Sequence, residues 1–437
     1  MTIGIRREDK NEWERRVPLI PSDLALLQKK HGISFVVQPS WIRVHEDEEY
    51  RAVGATVTEN LSTATVILAV KEIPIPLLMP RKVYVFFAHV AKGQPHNMPM
   101  LRHLMELGCS LLDYEKIVDE KNRRLVFFGR HAGYAGAIET LWALGQRLLA
   151  GHVETPFAAV RHAYEYSDLE EAKRHLRELG ARIAQESLHP GLRPLIFGVA
   201  GYGNVSQGAQ EILDCFPMTQ IAPGELRAAA PPSPHDGPQL IKVVFKEEDM
   251  VQPTDPEEQF GLSDYYQNPD RYSSCFDRHL PYLDVLINGI YWDERYPRLV
   301  TREWVQRHYL PGLRPRLKVI GDISCDIAGS VEVTLKTTHP DAPCYVYNVL
   351  KHAIEDGCVG QGPAIMAVDN LPCELPREAS QHFGEALRGM MPDLASADWE
   401  ADFERLVLPP HLKRSVILHK GKLTPSYEYL ERLVDVQ

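Results

Sequence analysis

The stretch LIFGVAGYGNVSQGAQEILDCF, Leu195 to Phe216, constrains this chain more than any other. Its first six residues, Leu195 to Ala200, are apolar and suit a strand covered on both faces. Gly201-Tyr202-Gly203 then supplies a tight turn, and Asn204 to Phe216 can continue as a helix. A helix that starts on such a turn points free N–H groups and a positive dipole end at whatever lies above it. That geometry receives a pyrophosphate: the first glycine permits the turn and the second lets backbone approach the phosphates. The fit to G-x-G-x-x-G is imperfect, with Ser206 in the third position and Gly208 two residues later. A tight strand-to-helix connection that binds nothing would look similar, so other residues must decide.

The rest of the chain alternates in the same way. Thr2 to Arg6, Ile33 to Gln38, Ala64 to Val70, Val83 to Ala88 and Ser110 to Tyr114 read as strands. Helices are expected at Ser22 to His31, stopped by Gly32, and near Asn97 to Gly108. Gly133 to Ala150 reads as a long helix rich in small residues that bridges two domains. A second alternation runs from Arg193 through Gln239 to Phe245, Val285 to Gly289 and Leu317 to Ile323. Ala228 to Pro238 and Lys246 to Asp277, polar and Pro-rich or acidic, read as surface excursions. Leu371 to Phe383 reads as a helix with prolines at its start. Trp399 to Val436 reads as helical with one short strand, returning to the first domain. The expected architecture is therefore α/β: two Rossmann-like parallel-sheet domains flanking an interdomain cleft. Residues 1–130, completed by 372–437, would form the substrate and catalytic domain, and 131–371 the dinucleotide-binding domain. A length of 437 residues accommodates this.

A net charge of −11 weighs against a nucleic-acid surface, which carries a basic excess. No apolar run approaches a bilayer span, and the start carries no apolar h-region. These readings point to a cytoplasmic protein with small-molecule partners, no nucleic-acid or membrane partner, and room for a homo-oligomer. The seven cysteines form no CxxC pair and no zinc-like spacing, so they read as reduced, mostly buried thiols, with no metal site.

Chemistry is expected where strands end, because ligands of parallel α/β sheets collect at the carboxyl ends of strands. One apolar run ends in Lys71-Glu72, and another runs on into His89 and Lys92. A crowded lysine loses basicity and histidine titrates near neutrality, so Lys71 and His89 could divide acid and base work. Arg15, Arg16, Arg123 and Arg124 stand in loops where guanidinium forks could hold carboxylates. Asp322, Asp326 and Asp369 could serve cofactor or substrate, or simply cap turns. The acid that holds the adenosine ribose of NAD is expected about 20 residues after the glycine turn. The segment Met218 to Ile221 has none before Glu225, which leans towards NADP, with Arg227 a candidate phosphate partner or an ordinary solvated arginine.

Taken in order, RREDKNEWERRVPL, AVKEIP, FFAHVAKGQ, LLDYE, FGRHAGYAG, GYGNVSQGAQ, LINGIYW, GDISCDIAGSVE and DNLPCELPREAS resemble lysine-ketoglutarate reductase over nearly the whole chain. That saccharopine-forming family is related to the saccharopine dehydrogenases and, more distantly, to alanine dehydrogenase and transhydrogenase. The resemblance implies NADPH-dependent condensation of lysine with 2-oxoglutarate through an imine, with NADP(H) preferred and NAD(H) also open. It implies Lys71 and His89 as the acid–base pair and Arg16 and Arg124 as carboxylate anchors. Glu14 and Glu72 would tune the neighbouring cations, and Lys92 would add positive charge. Gly201, Gly203, Asn204, Val205 and Ser206 match the cofactor turn, with Asp322 and Asp369 near the nicotinamide. Because animal and plant members carry a second enzyme after this one, a chain ending at Gln437 would carry the first step alone. Two other readings stay open: an alanine-dehydrogenase-like or opine-type oxidoreductase, and a non-catalytic NADP(H)-sensing regulator.

Overall fold

The computed structural model describes residues 1–231 and 237–434, arranged as two units. The first comprises Met1–Phe128 with Pro376–Gln437, the second Gly129–Leu375.

Each unit is built on one eight-stranded sheet. In the first, the spatial order runs Thr56–Val57, Ser34–Val37, Thr2–Ile5, Val66–Leu68, Val83–Phe86, Ser110–Asp113, Val416–His419, Lys422–Leu423. The first six are mutually parallel. Their central strands are buried throughout, as expected of apolar runs covered by helices on both faces. Pro21–His31 is one of those helices, ended by Gly32 in the left-handed conformation at φ 64°. Val416–His419, fully buried, adds to this sheet antiparallel, and Lys422–Leu423 pairs back on it. The C-terminal region thus contributes two strands among short helices where one was expected. VILH is too short to signal more than a run of apolar residues, and its partner strand is two residues long.

In the second unit the order is Met218–Ile221, Leu240–Phe245, Leu195–Ala200, Val285–Asn288, Val319–Asp322, Ala364–Met366, Cys344–Asn348, Ala353–Asp356. The first six are parallel, and the last two form an antiparallel hairpin. The glycine strand therefore neighbours Leu240–Phe245, and Met218–Ile221 is displaced to the edge. The fold class expected from the alternating pattern holds for both units.

The helix Gly129–Ala150 belongs wholly to the second unit. Its glycines allow close crossings: a Cβ on Gly133 would collide with the Val205 carbonyl, and one on Gly145 with that of Phe157. Gly208 serves the same crossing from the other side, against the Arg130 carbonyl, so its lack of a side chain is used in helix packing.

Two expectations need correction. Lys246 to Asp277 is more than a loop: it carries the helices Glu247–Met250 and Leu262–Gln267 and the paired strands Val251–Pro253 and Tyr272–Ser274. Its Met250, Val251, Tyr265, Tyr272 and Phe276 are buried. Aromatic residues spaced among prolines and acids gave no period to read. The cysteines are not all reduced: Cys344 and Cys358 form a disulfide, brought together when the hairpin sets Gly357 N–H on the Cys344 carbonyl at 3.1 Å. The other five are in no disulfide, and four of them are buried. The expected loop at 228–238 and the expected helical end at 399–436 each run partly beyond the described residues.

Candidate active site

The first unit gathers charge where its parallel strands end. Glu8 follows the strand Thr2–Ile5, and its carboxylate accepts the N–H groups of Val70 at 2.7 Å and Lys71 at 2.9 Å. This clamps the segment that presents Lys71. Burial and the nearby Glu14 charge push Glu8 up to about 7, against those two hydrogen bonds. The Lys71 amine is itself lowered, first by burial and then by Arg16, while Glu14 and Glu72 oppose the shift.

Glu14 receives the Arg16 guanidinium in two bonds of 2.7 and 2.6 Å, both side chains being enclosed. Arg16 also lies over the Phe128 ring at 4.3 Å. Glu72 joins His89 to Lys10. One oxygen is 2.5 Å from His89 Nδ1 and the other accepts from Lys10 at 3.0 Å. Burial alone would push the Glu72 carboxyl up, but His89 and Lys10 bring it down to about 2. An ionised Glu72 can only accept, so Nδ1 carries the proton and Nε2 is left for exchange. His89 sits at φ 51°, a strained conformation for a residue with a side chain. Its N–H donates to Asp113 at 3.1 Å and its carbonyl accepts from Asn97 at 3.2 Å, which fix it there. Burial raises Asp113 to about 6.

Lys71, Glu72, His89, Glu14 and Arg16 thus form one cluster. Lys92 and Arg124 face a neighbouring polar basin of about 440 Å³, together with Lys116, Arg414 and the hydroxyl-bearing Tyr427 and Tyr429. Arg124 pairs with Glu115 at 2.8 Å. The other expected arginines point elsewhere: Arg15 donates to the Ile42 carbonyl and Arg123 pairs with Asp119.

In the second unit, Gly201 takes φ 92° and its N–H donates to the Phe245 carbonyl at 2.9 Å. Gly203 caps the helix Asn204–Leu213, and a Cβ there would meet nothing within 4 Å. Open space at a ten-residue helix N-terminus fits an anionic group such as a pyrophosphate. A cavity of about 280 Å³ adjoins the turn, walled by Tyr202, Tyr265, Tyr266, Tyr296 and Glu247. Val205 packs on Gly133 and Gly289, and Ser206 is enclosed, its hydroxyl donating to the Gly201 carbonyl at 2.6 Å. Both shape the turn from behind. Asp322 is fully buried and accepts from Asn288, Ser324 and Thr334 at 2.9, 2.7 and 2.5 Å, tying strand ends together. Burial raises it despite those bonds. Asp326 and Asp369 are exposed nearby.

Met218–Ile221, the next strand in sequence after the glycine strand, lies at the sheet edge and not beside it. Leu240–Phe245 is the neighbour of the glycine strand, and it leads directly into Lys246 and Glu247, the latter bonded by the Tyr266 hydroxyl at 2.6 Å. Arg227, after the edge strand, is exposed and does not line the cavity. Glu8, Asp113, Glu115 and Glu247 were all missed. The first three stand just after or at the end of apolar runs, a signal that could have found them.

The descriptions "Alanine dehydrogenase/PNT, N-terminal domain" and "Alanine dehydrogenase/PNT, C-terminal domain" match residues 4–135 and 258–426. The chain belongs to the alanine dehydrogenase/PNT family. Within that family, a solved L-alanine dehydrogenase shares the fold at TM-score 0.63 and 18% identity, covering 99% of this chain and 100% of its own. Alpha-aminoadipic semialdehyde synthase of Arabidopsis thaliana is 39% identical over 99% of this chain and 41% of its own length. The mitochondrial enzyme of the same name from Bos taurus is 35% identical, over 99% and 48%. The chain therefore spans less than half the length of these two relatives. Saccharopine dehydrogenase [NAD(+), L-lysine-forming] of Neurospora crassa is 28% identical, over 91% and 92%. Among the described residues no helix is long and apolar enough to cross a membrane, and no cluster of metal-ligating side chains occurs.

Proposed function

We infer that this chain catalyses the reductive condensation of L-lysine with 2-oxoglutarate to saccharopine. One observation carries the reading: a buried lysine of lowered basicity, Lys71, in the field of a Glu72 carboxylate that is itself bonded to His89 Nδ1 and leaves Nε2 exchangeable. Imine formation and reduction need two proton carriers of different strength and little else from the protein. The names of the similar proteins support lysine and saccharopine as the substrate class.

The lysine ε-amine must lose a proton to attack the oxo carbon, and the carbinolamine must gain one as water departs. Lys71, its basicity lowered by burial, takes the first proton, and His89 delivers the second through Nε2. Arg16 and Arg124 hold substrate carboxylates, Lys92 adds positive charge, and Glu14 and Glu72 keep the cations placed. A bound nicotinamide dinucleotide supplies the hydride that turns the imine into the secondary amine. Gly201, Gly203 and Asn204 would hold its pyrophosphate, Val205 and Ser206 would shape that turn, and Asp322 and Asp369 mark the strand ends towards the nicotinamide. Overall, lysine, 2-oxoglutarate, the reduced coenzyme and a proton give saccharopine, the oxidised coenzyme and water.

NADPH is the reductant the resemblance implies. Glu247 favours NADH, because a carboxylate after the strand beside the glycine turn accepts from a ribose hydroxyl and repels a 2′-phosphate.

The test is reduced-coenzyme oxidation with lysine and 2-oxoglutarate together, each alone, and with substituted amines and oxo acids, run with NADPH and NADH. Oxidation that requires both substrates is expected. Turnover with pyruvate and ammonia instead would install the alanine-dehydrogenase-like reading, and coenzyme binding without oxidation the regulatory one.

A further inference from the structure

The basin of the first unit collects more cations than counter-ions. Lys92, Lys116, Arg124 and Arg414 line it against a single carboxylate, Glu115, already held by Arg124. Among the described residues neither Lys92, Lys116 nor Arg414 has a carboxylate partner, although the chain as a whole is strongly acidic. Arg414 donates to the Val118 carbonyl at 3.0 Å, and its own carbonyl accepts from the Tyr427 hydroxyl at 2.9 Å. The guanidinium is thereby steadied at the basin wall with donors to spare. Uncompensated cations facing one cavity repel each other unless an anion joins them, so their convergence marks a site for a multiply charged anion.

Two of the basin's lining residues are tied along the chain to the segment that carries His89. Lys92 follows His89 by three residues, and Glu115 follows Asp113, whose carboxylate fixes the His89 backbone.

We propose that this basin is the subsite for the distal carboxylate of a dicarboxylic oxo acid, and that Arg414, supplied by the C-terminal return of the chain, selects dicarboxylic over monocarboxylic acids. Arg124 and Lys116 share the carboxylate, and Lys92 holds the space between it and His89. A fork-shaped guanidinium suits a planar carboxylate better than a lysine would. The proposal rests on the reaction inferred above only in taking 2-oxoglutarate as the acid.

Two measurements test it on the full chain. By calorimetric titration, 2-oxoglutarate and glutarate are expected to bind the parent protein at least tenfold more tightly than pyruvate or butyrate. Arg414→Gln and Lys116→Gln should each weaken the two dicarboxylates by about tenfold and leave the monocarboxylates unchanged, with Arg414→Lys recovering part of the loss. In the turnover assay, Arg414→Gln should raise the KM for 2-oxoglutarate about tenfold while the KM for lysine stays within twofold. Equal loss for both acid classes, or no change in dicarboxylate binding in either variant, overturns the proposal. Arg414-dependent dicarboxylate binding in a chain that fails to turn over lysine upholds it and removes the proposed reaction instead.

Discussion

The two units carry their chemistry in opposite materials. In the first, function rests on side-chain charge: Glu8, Asp113, Lys71 and Glu72 all titrate away from their ordinary values because burial and close partners act on them together. In the second, the glycine turn offers backbone N–H groups, space and aromatic walls, and the enclosed Asp322 is fully occupied with structural bonds. Proton transfer demands groups poised between two charge states, whereas holding a dinucleotide demands a shape that does not change. Damage to one unit should therefore change turnover with binding intact, and damage to the other the reverse.

The sharpest break is Lys71→Met, expected to lower kcat by about 100-fold or more while the coenzyme Kd, read by fluorescence titration, stays within twofold. Equal loss of both would erase the contrast. Gly201→Val should do the opposite. Its φ of 92° strains any side chain, and the new Cβ would also press on Ile290 at 3.2 Å. Strain of about 1–3 kcal/mol should raise the coenzyme Kd by roughly tenfold or more, with the Kd for 2-oxoglutarate unaffected.

The pH dependence of stability sharpens the comparison further. Glu72 is depressed to about 2, so its contribution is present above the ordinary glutamate range near 4.5 and lost as pH falls towards 2. Glu8 is raised to about 7, so its contribution is present below about 4.5 and lost as pH rises through 7. Denaturation curves of Glu72→Gln should lose about 2 kcal/mol at neutral pH and flatten below pH 4.5. An unaltered acid limb would show that Glu72 is not held by His89 and Lys10. The smallest effect is expected from Glu247→Gln, a few-fold shift of kcat/KM towards NADPH relative to NADH. No shift would free Glu247 of any part in coenzyme choice.

The glycine strand, Lys71 and His89 were legible because each is announced locally, by an apolar run meeting a glycine or an ionisable residue. Their partners were not, because partnership depends on strand order. Glu8 meets Lys71 since Thr2–Ile5 lies beside Val66–Leu68, and Asp113 meets His89 since Ser110–Asp113 lies beside Val83–Phe86. Glu247 shows the cost most clearly. A spacing rule assumes that consecutive strands are neighbours, and here the third strand of the unit is inserted between the first and the second. Arg414 lay further out of reach, on a segment whose short strand pairs with one some 300 residues earlier.

That return strand also sets a timetable. Val416–His419 is made after the whole of the second unit, so a growing chain carries Ser110–Asp113 as an unpaired, apolar sheet border throughout that interval. Such a border invites pairing with another chain. Synthesis from the ribosome thus favours an order in which the inserted unit folds first and the outer one closes last.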